Sequence, residues 1–503
     1  MNAGKNCIVI TANKKMDELA TLSWKDIHGT RFASDASFAL QLKNSDTLYV
    51  ESVARIIPKR RLVAFGLWQG KQIVAKLFYD SEHASRHSEK DTRGVKVLQD
   101  HKVPTPALLY QGATHDGRVQ VLIFERILHS DSLNTIWQAN KENLQAIVPL
   151  LKSVVVELAT QHVLGIVQHD LHLDNFLITD KVIYTLDGAQ IEIHPELLPK
   201  KPSLQNLALF LSQFGVGYEL LQELLFRHYA RSRGWLLKQS DLKELFFEIR
   251  QWNEKRWQRY ERKIFRPCTD FACHQDWSSY GMYDRRYATP TLTQFMGDPN
   301  AIFSHPSAKM LKAGRSSTVI RIAMDDRDYV IKRYNMKNVW HRLRRTLRPT
   351  RAAMSWRLAL KLNLFGVRTA APVAFVENRV FGFRGASYFV SEYIADEHLG
   401  AYCKRNRHLP EKINLIVERV ALLLQNLAKL NMTHGDLKVT NILINPQEQP
   451  VLIDLDGTVE HYSASGLHAA WRKEIKRFLE NFAQEPDILT KFKAVFFKTS
   501  IDN

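Results

Sequence analysis

Cysteine is scarce in this sequence, with four residues among 503. So few cysteines exclude a disulfide-based scaffold, and we expect reduced thiols of the kind found in the cytosol. The sequence also lacks any run of about 18 apolar residues, so we predict no transmembrane helix. Residues 1–20 contain charges and no apolar core, which is not typical of a secretory signal. We therefore expect a cytoplasmic protein, soluble or peripheral to a membrane.

Acidic residues are too few to balance the basic ones. Lys and Arg total 70 against 52 Asp and Glu, a net charge of +18. This excess predicts an anionic partner such as a nucleic acid, a nucleotide, a phospho-sugar or an acidic membrane surface. The imbalance is strongest in 329–376, which has no acidic residue and eleven basic ones: Lys332, Arg333, Lys337, Arg342, Arg344, Arg345, Arg348, Arg351, Arg357, Lys361 and Arg368. This segment is interpreted either as an anion-docking surface or as a solvated helix face.

The chain contains an internal repeat. Each copy has a lysine in a strand-like run, a His-Asp motif that ends in Asn, and a Leu-Asp-Gly tripeptide; these lie at Lys76, 169–175 and 186–188, and again at Lys332, 434–441 and 455–457. Because the order and spacing recur about 260 residues apart, we predict two homologous domains. Their predicted ranges are 46–290 and 300–503, after an N-terminal extension at 1–45. Turn-forming residues between 288 and 301 suggest the boundary.

Hydrophobic periodicity gives both copies the same coarse structure, an α+β arrangement. Each begins with a small strand-rich lobe around its lysine and continues into a helical lobe. Helices are predicted at about 88–101, 144–164, 350–364 and 413–430, and the region 204–262 reads as long and helical. The composition, 45% hydrophobic and 24% charged, is that of an ordinary globular protein.

The repeated polar residues suit phosphoryl transfer. An aspartate followed five positions later by an asparagine, as in Asp436 and Asn441, can accept a proton from a hydroxyl and supply an oxygen to Mg²⁺. A further carboxylate follows about a dozen positions later, at Asp454 in the second copy and at Asp187 in the first. A strand lysine is a point charge suited to the α- and β-phosphates of a nucleoside triphosphate.

The motifs resemble those of the bacterial lipopolysaccharide-core kinases, the heptose and Kdo kinase group of the protein-kinase-like superfamily. The resemblance depends on the motifs at 434–444, 452–457, 348–359 and 57–70, and it covers about 48–192 and 305–480. It implies two tandem bilobal kinase-like domains that use ATP and Mg²⁺.

The resemblance also implies a role for each repeated residue. Asp436 and Asp170 would be the catalytic bases, and Lys438 would contact the transferred phosphoryl group, where the first copy has His172. The metal ligands would be Asn441, Asn175, Asp187 and either Asp454 or Asp456. Lys332 and Lys76 would hold the ATP phosphates.

Each copy departs from the family pattern somewhere. The turn at 58–61 of the first copy has no glycine, so its cations replace the usual phosphate-covering loop or nucleotide does not bind; the second copy keeps Gly314. Asp91, with Glu89 close by, can pair with Lys76, but no acid stands at the corresponding position for Lys332. Aligning the two Leu-Asp-Gly tripeptides places Thr185 opposite Asp454, so either Asp187 is the metal ligand by itself or the first site is deficient in metal ligands. One domain is therefore a candidate pseudokinase, either regulatory or substrate-holding.

The acceptor is expected to be a sugar. Neither copy has the Ala-Pro-Glu tripeptide that closes the activation segment of protein kinases, and the segment after each Leu-Asp-Gly is short. The predicted function is phosphorylation of a lipopolysaccharide inner-core hydroxyl, with the basic segment near the acidic inner-membrane leaflet. The alternatives are a protein kinase or another small-molecule kinase, and a non-catalytic scaffold on anionic surfaces. Nucleic acid is not the expected partner, because the sequence has no RNP, zinc or clear helix-turn-helix motif.

Overall fold

The computed structural model describes residues 19–29, 35–57, 59–80, 82–335, 349–380 and 383–498. The protein is a mixture of helices and several sheets, as the α+β prediction requires. The helices are α1 (Trp24–Gly29), α2 (Ala84–Asp100), α3 (Leu133–Asn140), α4 (Leu144–Val163), α5 (Lys200–Leu211), α6 (Glu219–Ser232), α7 (Gln239–Ile264), α8 (Pro290–Gly297), α9 (Arg351–Leu364), α10 (Leu399–Arg405), α11 (Pro410–Lys429), α12 (Ala464–Glu480) and α13 (Pro486–Lys498).

Within the described residues, the strands form six sheets. In chain order, the strands before α5 are β1 (Phe38–Gln41), β2 (Thr47–Ile57), β3 (Arg61–Trp68), β4 (Lys71–Phe78), β5 (Leu108–Ala113), β6 (Gln120–Glu125), β7 (Asp131–Ser132), β8 (Ile166–Gln168), β9 (Phe176–Ile178), β10 (Ile183–Thr185) and β11 (Ile191–Ile193). The strands after α7 are β12 (Phe271–Gln275), β13 (Ser279–Asp284), β14 (Lys309–Ala313), β15 (Ser317–Met324), β16 (Arg327–Tyr334), β17 (Pro372–Val380), β18 (Phe383–Glu392), β19 (Glu397–His398), β20 (Met432–Thr433), β21 (Ile442–Ile444), β22 (Pro450–Leu452) and β23 (Val459–Glu460).

The chain divides into two compact units at a point that differs from the predicted boundary. The first unit is Met1–Gln213 with Leu220–Trp252, and the second is Phe214–Glu219 with Asn253–Asn503. Residues 253–290, assigned above to the first domain, belong to the second unit because β13 pairs with β17 in its main sheet. The turn-like residues near 290 begin a helix instead: Pro290 occupies the first turn of α8, where its missing N–H costs nothing.

The predicted N-terminal extension is described only in part. Residues 1–18 and 30–34 of it lie outside the described residues. Strand β1, which the extension contributes, pairs antiparallel with β2 over Phe38–Gln41. The first sheet therefore begins inside the segment that the sequence left unassigned.

The main sheet of the first unit has the order β1-β2-β3-β4-β6-β5. Side chains alternate along β3, so that Leu62 and Ala64 are buried while Arg61, Val63 and Phe65 are only partly covered. Strand β4 lies between β3 and β6, and its partly buried Lys76, which pairs with Val63, lies on the same face of the sheet as that residue.

The main sheet of the second unit has the order β12-β13-β17-β18-β16-β15-β14. Strand β16 lies between β15 and β18, with Lys332 opposite Val319 and Phe389. Helix α9 follows, and it begins because the Thr350 hydroxyl accepts the N–H of Ala353 at 3.2 Å. The buried Trp356 anchors this helix in the core of the second unit.

The four helices predicted from periodicity occur close to their expected bounds, as α2, α4, α9 and α11. The long helical region consists of three helices, α5 to α7. Among the described residues one helix, α4, is long and apolar enough to cross a membrane. Several of its side chains are buried, Leu151 and Leu158 among them. Core helices pass the same test of length and composition, so α4 alone is weak evidence for a membrane span.

The close approach of α2 to the turn after β10 gives a test of the first unit. A Cβ on Gly94 would lie 1.8 Å from the carbonyl oxygen of Gly188, which is a backbone atom and cannot turn aside as a side chain could. We expect Gly94→Ala to lower the free energy of unfolding by about 3 kcal/mol, because the helix must move away. The urea midpoint measures this. Gly297→Ala is the control, since a Cβ there meets nothing within 4 Å. Equal midpoints for the two variants would contradict the packing described.

Candidate active site

The His-Asp loop of the second unit is held from two sides. Glu474, on α12, accepts the backbone N–H groups of both His434 and Gly435. The His434 ring is within 2.9 Å of the carbonyl oxygen of Ile453. Gly435 has φ +77°, and a Cβ there would lie 2.0 Å from the Gly457 carbonyl oxygen, so only glycine fits. Nothing in the sequence motif pointed to Glu474, which lies about 40 residues further along the chain.

The three polar residues of this loop, Asp436, Lys438 and Asn441, are hydrogen-bonded to one another. Lys438 Nζ donates to Asp436 Oδ2 at 2.9 Å, and both side chains are almost half exposed. Burial opposes ionisation of Asp436, but the hydrogen bond and charge of Lys438 outweigh it and lower the pKa of Asp436. Asn441 is buried and donates its amide N–H to the Asp436 carbonyl oxygen at 2.8 Å, so its amide oxygen is the atom suited to ligate a cation.

Lys332 brings two carboxylates together. Its ammonium group donates to both Asp454 and Asp456, and only 13% of the lysine side chain is exposed. Arg351, from the first turn of α9, donates to the other oxygen of Asp456. This ion cluster, defined as Lys332, Arg351, Asp454 and Asp456, has two cations and two anions.

The two aspartates of the ion cluster differ in acidity. Burial alone would raise the pKa of Asp456, but its hydrogen bonds and the charges of Lys332 and Arg351 lower the pKa instead. Burial raises the pKa of Asp454, and the neighbouring Asp456 adds to the effect.

The structure supplies the partner for Lys332 that the sequence lacks. Ser355, at the position corresponding to Asp91 of the first unit, instead lies 2.9 Å from the hydroxyl of Tyr334. Helix α9 contributes a cation, Arg351, in place of an acid, and the acid comes from Asp456. Arg351 is in the family-like motif at 348–359, but its partner could not be read from the sequence.

The first unit has the arrangement that the sequence predicts for its lysine. Lys76 Nζ lies 2.7 Å from Asp91 and 3.5 Å from Asp187. Asp91 is completely buried on α2, whereas Glu89 is exposed and is not an ion-pair partner of Lys76. Of the two predicted acids, Asp91 is thus the one in the site.

The His-Asp loop of the first unit keeps the geometry with different side chains. Asn175 donates to the Asp170 carbonyl oxygen at 2.5 Å, as Asn441 does to Asp436. His172 occupies the position of Lys438, and its Nε2 is 3.8 Å from Asp170. The residue that corresponds to His434 is Gln168, which donates to the carbonyl oxygen preceding Asp187 at 2.8 Å.

The Leu-Asp-Gly tripeptides do not correspond in space, so the alignment that placed Thr185 opposite Asp454 is wrong. Asp187 and Asp454 both have left-handed backbones, with φ of 62° and 61°, and each begins a single 3₁₀ turn. The residue before each donates its N–H to the carbonyl of the asparagine in the same unit, at 2.8 and 3.0 Å. Asp187 therefore corresponds to Asp454, and Asp456 is an additional acid of the second unit.

The turn that the sequence analysis compared with a phosphate-covering loop also differs between the units. Gly314 lies between β14 and β15, where its N–H donates to the Ser317 carbonyl oxygen at 3.0 Å. The side-chain amide of Asn335 donates to the carbonyl oxygen of Gly314. In the first unit Pro58 lies outside the described residues. Lys59 has φ +60°, and the Arg60 N–H closes a tight turn onto Ile57.

An asparagine and an aspartate form the candidate metal ligands in each unit. In the part of the chain that the structure describes, no group of three or more His, Cys, Asp and Glu side chains could hold a metal ion. Asn441 with Asp454 offers two hard oxygen donors, and Asn175 with Asp187 offers the same pair. This donor set fits Mg²⁺, which is commonly bound by one or two carboxylates together with substrate phosphates.

Comparison with protein-family models matches part of the second unit to a known family. Residues 304–486 match the family model described as the lipopolysaccharide kinase (Kdo/WaaP) family. No curated protein matches the chain. The matched range contains Lys332, Asp436, Asn441 and Asp454, so the predicted resemblance to lipopolysaccharide-core kinases is confirmed there. The prediction of a kinase, an enzyme that transfers a phosphoryl group, is confirmed at the level of that family.

The ion cluster makes a prediction about stability. Arg351→Met leaves Asp456, 8% exposed, with one cation fewer. We expect the free energy of unfolding at pH 7 to fall by about 1–3 kcal/mol, since a charged hydrogen bond to a buried group is lost.

The matched control is Arg405→Met in the same unit. Arg405 pairs with Glu397, but 61% of its side chain is exposed, so the expected loss is below about 1 kcal/mol. Urea unfolding of both variants makes the comparison. A smaller effect at Arg351 than at Arg405 would show that the ion cluster does not stabilise the second unit.

Proposed function

We propose that this protein is an ATP- and Mg²⁺-dependent phosphotransferase that phosphorylates a sugar hydroxyl of the lipopolysaccharide inner core, and that the second unit performs the transfer. The supporting observation is the proximity of Lys332 to Asp454, in a unit whose His-Asp loop is fixed by Glu474. All of these residues lie within the range that matches the kinase family.

Lys332 would bind the nucleotide. Its ammonium group, which two carboxylates hold in place, is suited to the α- and β-phosphates. Arg351 keeps Asp456 paired when Lys332 turns to a phosphate, so that no buried carboxylate is left alone. Asn441 and Asp454 would hold Mg²⁺, which supplies positive charge to the phosphate oxygens.

Asp436 would orient the acceptor. Its carboxylate can accept the proton of a sugar hydroxyl, and the hydrogen bond and charge of Lys438 lower its pKa against the effect of burial. Lys438, 2.9 Å from this carboxylate, would place a positive charge beside the transferred phosphoryl group.

We further propose that both units are kinase-like domains in tandem. Each places a strand lysine beside the aspartate that begins the 3₁₀ turn, and each has an asparagine bonded to the loop aspartate. The second unit is assigned the transfer because Lys438 carries a fixed charge where the first unit has His172.

The segment after Asp454 favours a sugar over a peptide acceptor. It consists of a 3₁₀ turn and the two-residue strand β23, which pairs with β20, and α12 begins at Ala464. Protein kinases need a long activation segment here to bind a peptide.

A cytoplasmic location beside the acidic inner-membrane leaflet is part of the proposal and depends on the basic segment at 329–376. Residues 336–348 of this segment lie outside the described residues. Arg357 pairs with Glu261 and Glu460, and Lys361 also pairs with Glu460. These two cations therefore form ion pairs within the second unit, and other basic residues of the segment would contact the membrane.

The test is transfer of labelled γ-phosphate to purified lipopolysaccharide core. Asp436→Asn is expected to reduce the rate roughly 10²- to 10⁴-fold with little loss of ATP binding, because the acceptor hydroxyl loses its base. The matched variant of the first unit, Asp170→Asn, is expected to keep most of the rate. A protein acceptor such as casein is expected to remain unlabelled.

Two outcomes would contradict this assignment. Loss of transfer in Asp170→Asn but not in Asp436→Asn would move the reaction to the first unit. Labelling of casein with no labelling of core saccharide would favour a protein kinase.

A further inference from the structure

Helix α12 of the second unit has four exposed basic residues close together: Arg472, Lys473, Lys476 and Arg477. In the part of the chain that the structure describes, none of the four forms an ion pair. The acids of this helix are Glu474, whose carboxylate is bonded to the His-Asp loop, and Glu480 at its last position. The helix therefore offers positive charge to an anion from outside the chain.

Two of these cations, Lys473 and Arg477, lie beside the loop that carries Asp436. The Glu474 carboxylate accepts the N–H groups of the two residues that precede Asp436, so α12 touches the loop next to the proposed base. Because an α-helix turns by about 100° per residue, Arg477 and Lys473 lie about 60° and 100° from Glu474 on one side of α12. Since they are also one turn apart, their side chains are neighbours.

The charge of Arg477 acts on the carboxylates of the site. Burial acts to raise the pKa of both Asp436 and Glu474, and the positive charge of Arg477 acts to lower both. Lys438, which donates to Asp436, is a further partly exposed cation at the same place. An acceptor that places its hydroxyl at Asp436 would therefore meet positive charge both from the loop and from α12.

Helix α5 is the counterpart of α12 in the first unit. It contacts the His-Asp loop of that unit through Asn206, whose amide donates to the Gln168 carbonyl oxygen at 2.9 Å. Gln168 corresponds to His434, and Glu474 accepts the N–H of the peptide group that follows His434. Asn206 and Glu474 thus bind corresponding peptide groups, which matches the two helices residue by residue.

The matched positions of α5 are uncharged and covered. Counting from the loop contacts, Gln205 and Leu209 correspond to Lys473 and Arg477. Leu209 is buried, and the Gln205 amide donates to Glu248 of α7 at 3.0 Å. Helix α7 therefore covers in the first unit the face that is open and basic in the second. The shared arrangement of helix and loop does not require cations here.

We propose that Lys473 and Arg477 bind an acidic group of the saccharide acceptor, a carboxylate or a phosphate, while the acceptor hydroxyl lies at Asp436. This inference rests on the proposed function, because it concerns the acceptor of the second unit. A guanidinium offers two parallel N–H groups that match either kind of acid, and the neighbouring ammonium group adds a second charge. The second unit would then select saccharides that already carry negative charge.

The experiment is calorimetric titration of the full-length chain with purified lipopolysaccharide core saccharide, without ATP. Arg477→Ala and Lys473→Ala are each expected to weaken binding roughly five- to tenfold, because each removes a charged hydrogen bond that solvent partly screens. Lys476→Ala is the matched control: it removes the same charge from α12, but its side chain points about 160° away from Glu474. This control is expected to bind like the wild type, and thermal unfolding shows that each variant is folded.

A modified ligand tests whether acidic groups are recognised. The same saccharide, with its carboxyl groups reduced to alcohols and its phosphates hydrolysed, is expected to bind the wild type and Arg477→Ala equally weakly. The proposal is overturned if the wild type does not bind the acidic saccharide, if Arg477→Ala binds it as tightly as the wild type, or if the neutral saccharide binds the wild type as tightly as the acidic one.

Vesicles of phosphatidylcholine and phosphatidylglycerol in equal parts test an acidic lipid surface as the other source of charge. If Arg477→Ala lost affinity for these vesicles and kept its affinity for the saccharide, α12 would be a membrane contact and the proposal would fail. Saccharide binding that depends on Arg477, without phosphate transfer, would contradict only the proposed function. Transfer with an unchanged KM for the saccharide in Arg477→Ala would contradict only this inference.

Discussion

The contact of Lys332 with Asp454 and Asp456 is the interaction on which the second unit's chemistry depends. A largely buried ammonium group needs compensating charge, and these two carboxylates provide it. Because the lysine comes from the sheet and the aspartates from the turn after β22, their contact joins the strand-rich part of this unit to its helical part. Arg351 completes the balance, so that either cation can be drawn to a ligand without leaving Asp456 uncompensated.

The two units solve the same electrostatic problem with different partners. In the first, a buried acid on the helix after the lysine strand, Asp91, holds Lys76. In the second, the corresponding helix supplies the cation Arg351, and the acid is Asp456, two residues after Asp454 and inside the 3₁₀ turn that Asp454 begins. Corresponding backbone positions therefore carry different charges in the two units.

Much of this could be predicted from the sequence because it is local. The helix and strand positions follow from periodicity, and the loop residues Asp436 and Asn441 lie within one short motif. The other features depend on contacts between distant parts of the chain. The pairing of Glu474 with the His-Asp loop, and of Glu261 with Arg357, cannot be read from spacing. Aligning the Leu-Asp-Gly tripeptides by residue identity placed the two units out of register by two residues. The correct correspondence, Asp187 with Asp454, follows from their shared left-handed backbone conformation.

The most direct test of the central claim is a crystal structure of the full-length chain with a non-hydrolysable ATP analogue and Mn²⁺, which is located by its anomalous scattering. The account predicts Mn²⁺ in contact with Asn441 and Asp454, with Lys332 bonded to a phosphate oxygen and Asp456 still paired with Arg351. A nucleotide absent from this position, or Mn²⁺ bound elsewhere while Lys332 keeps both carboxylates, would contradict it.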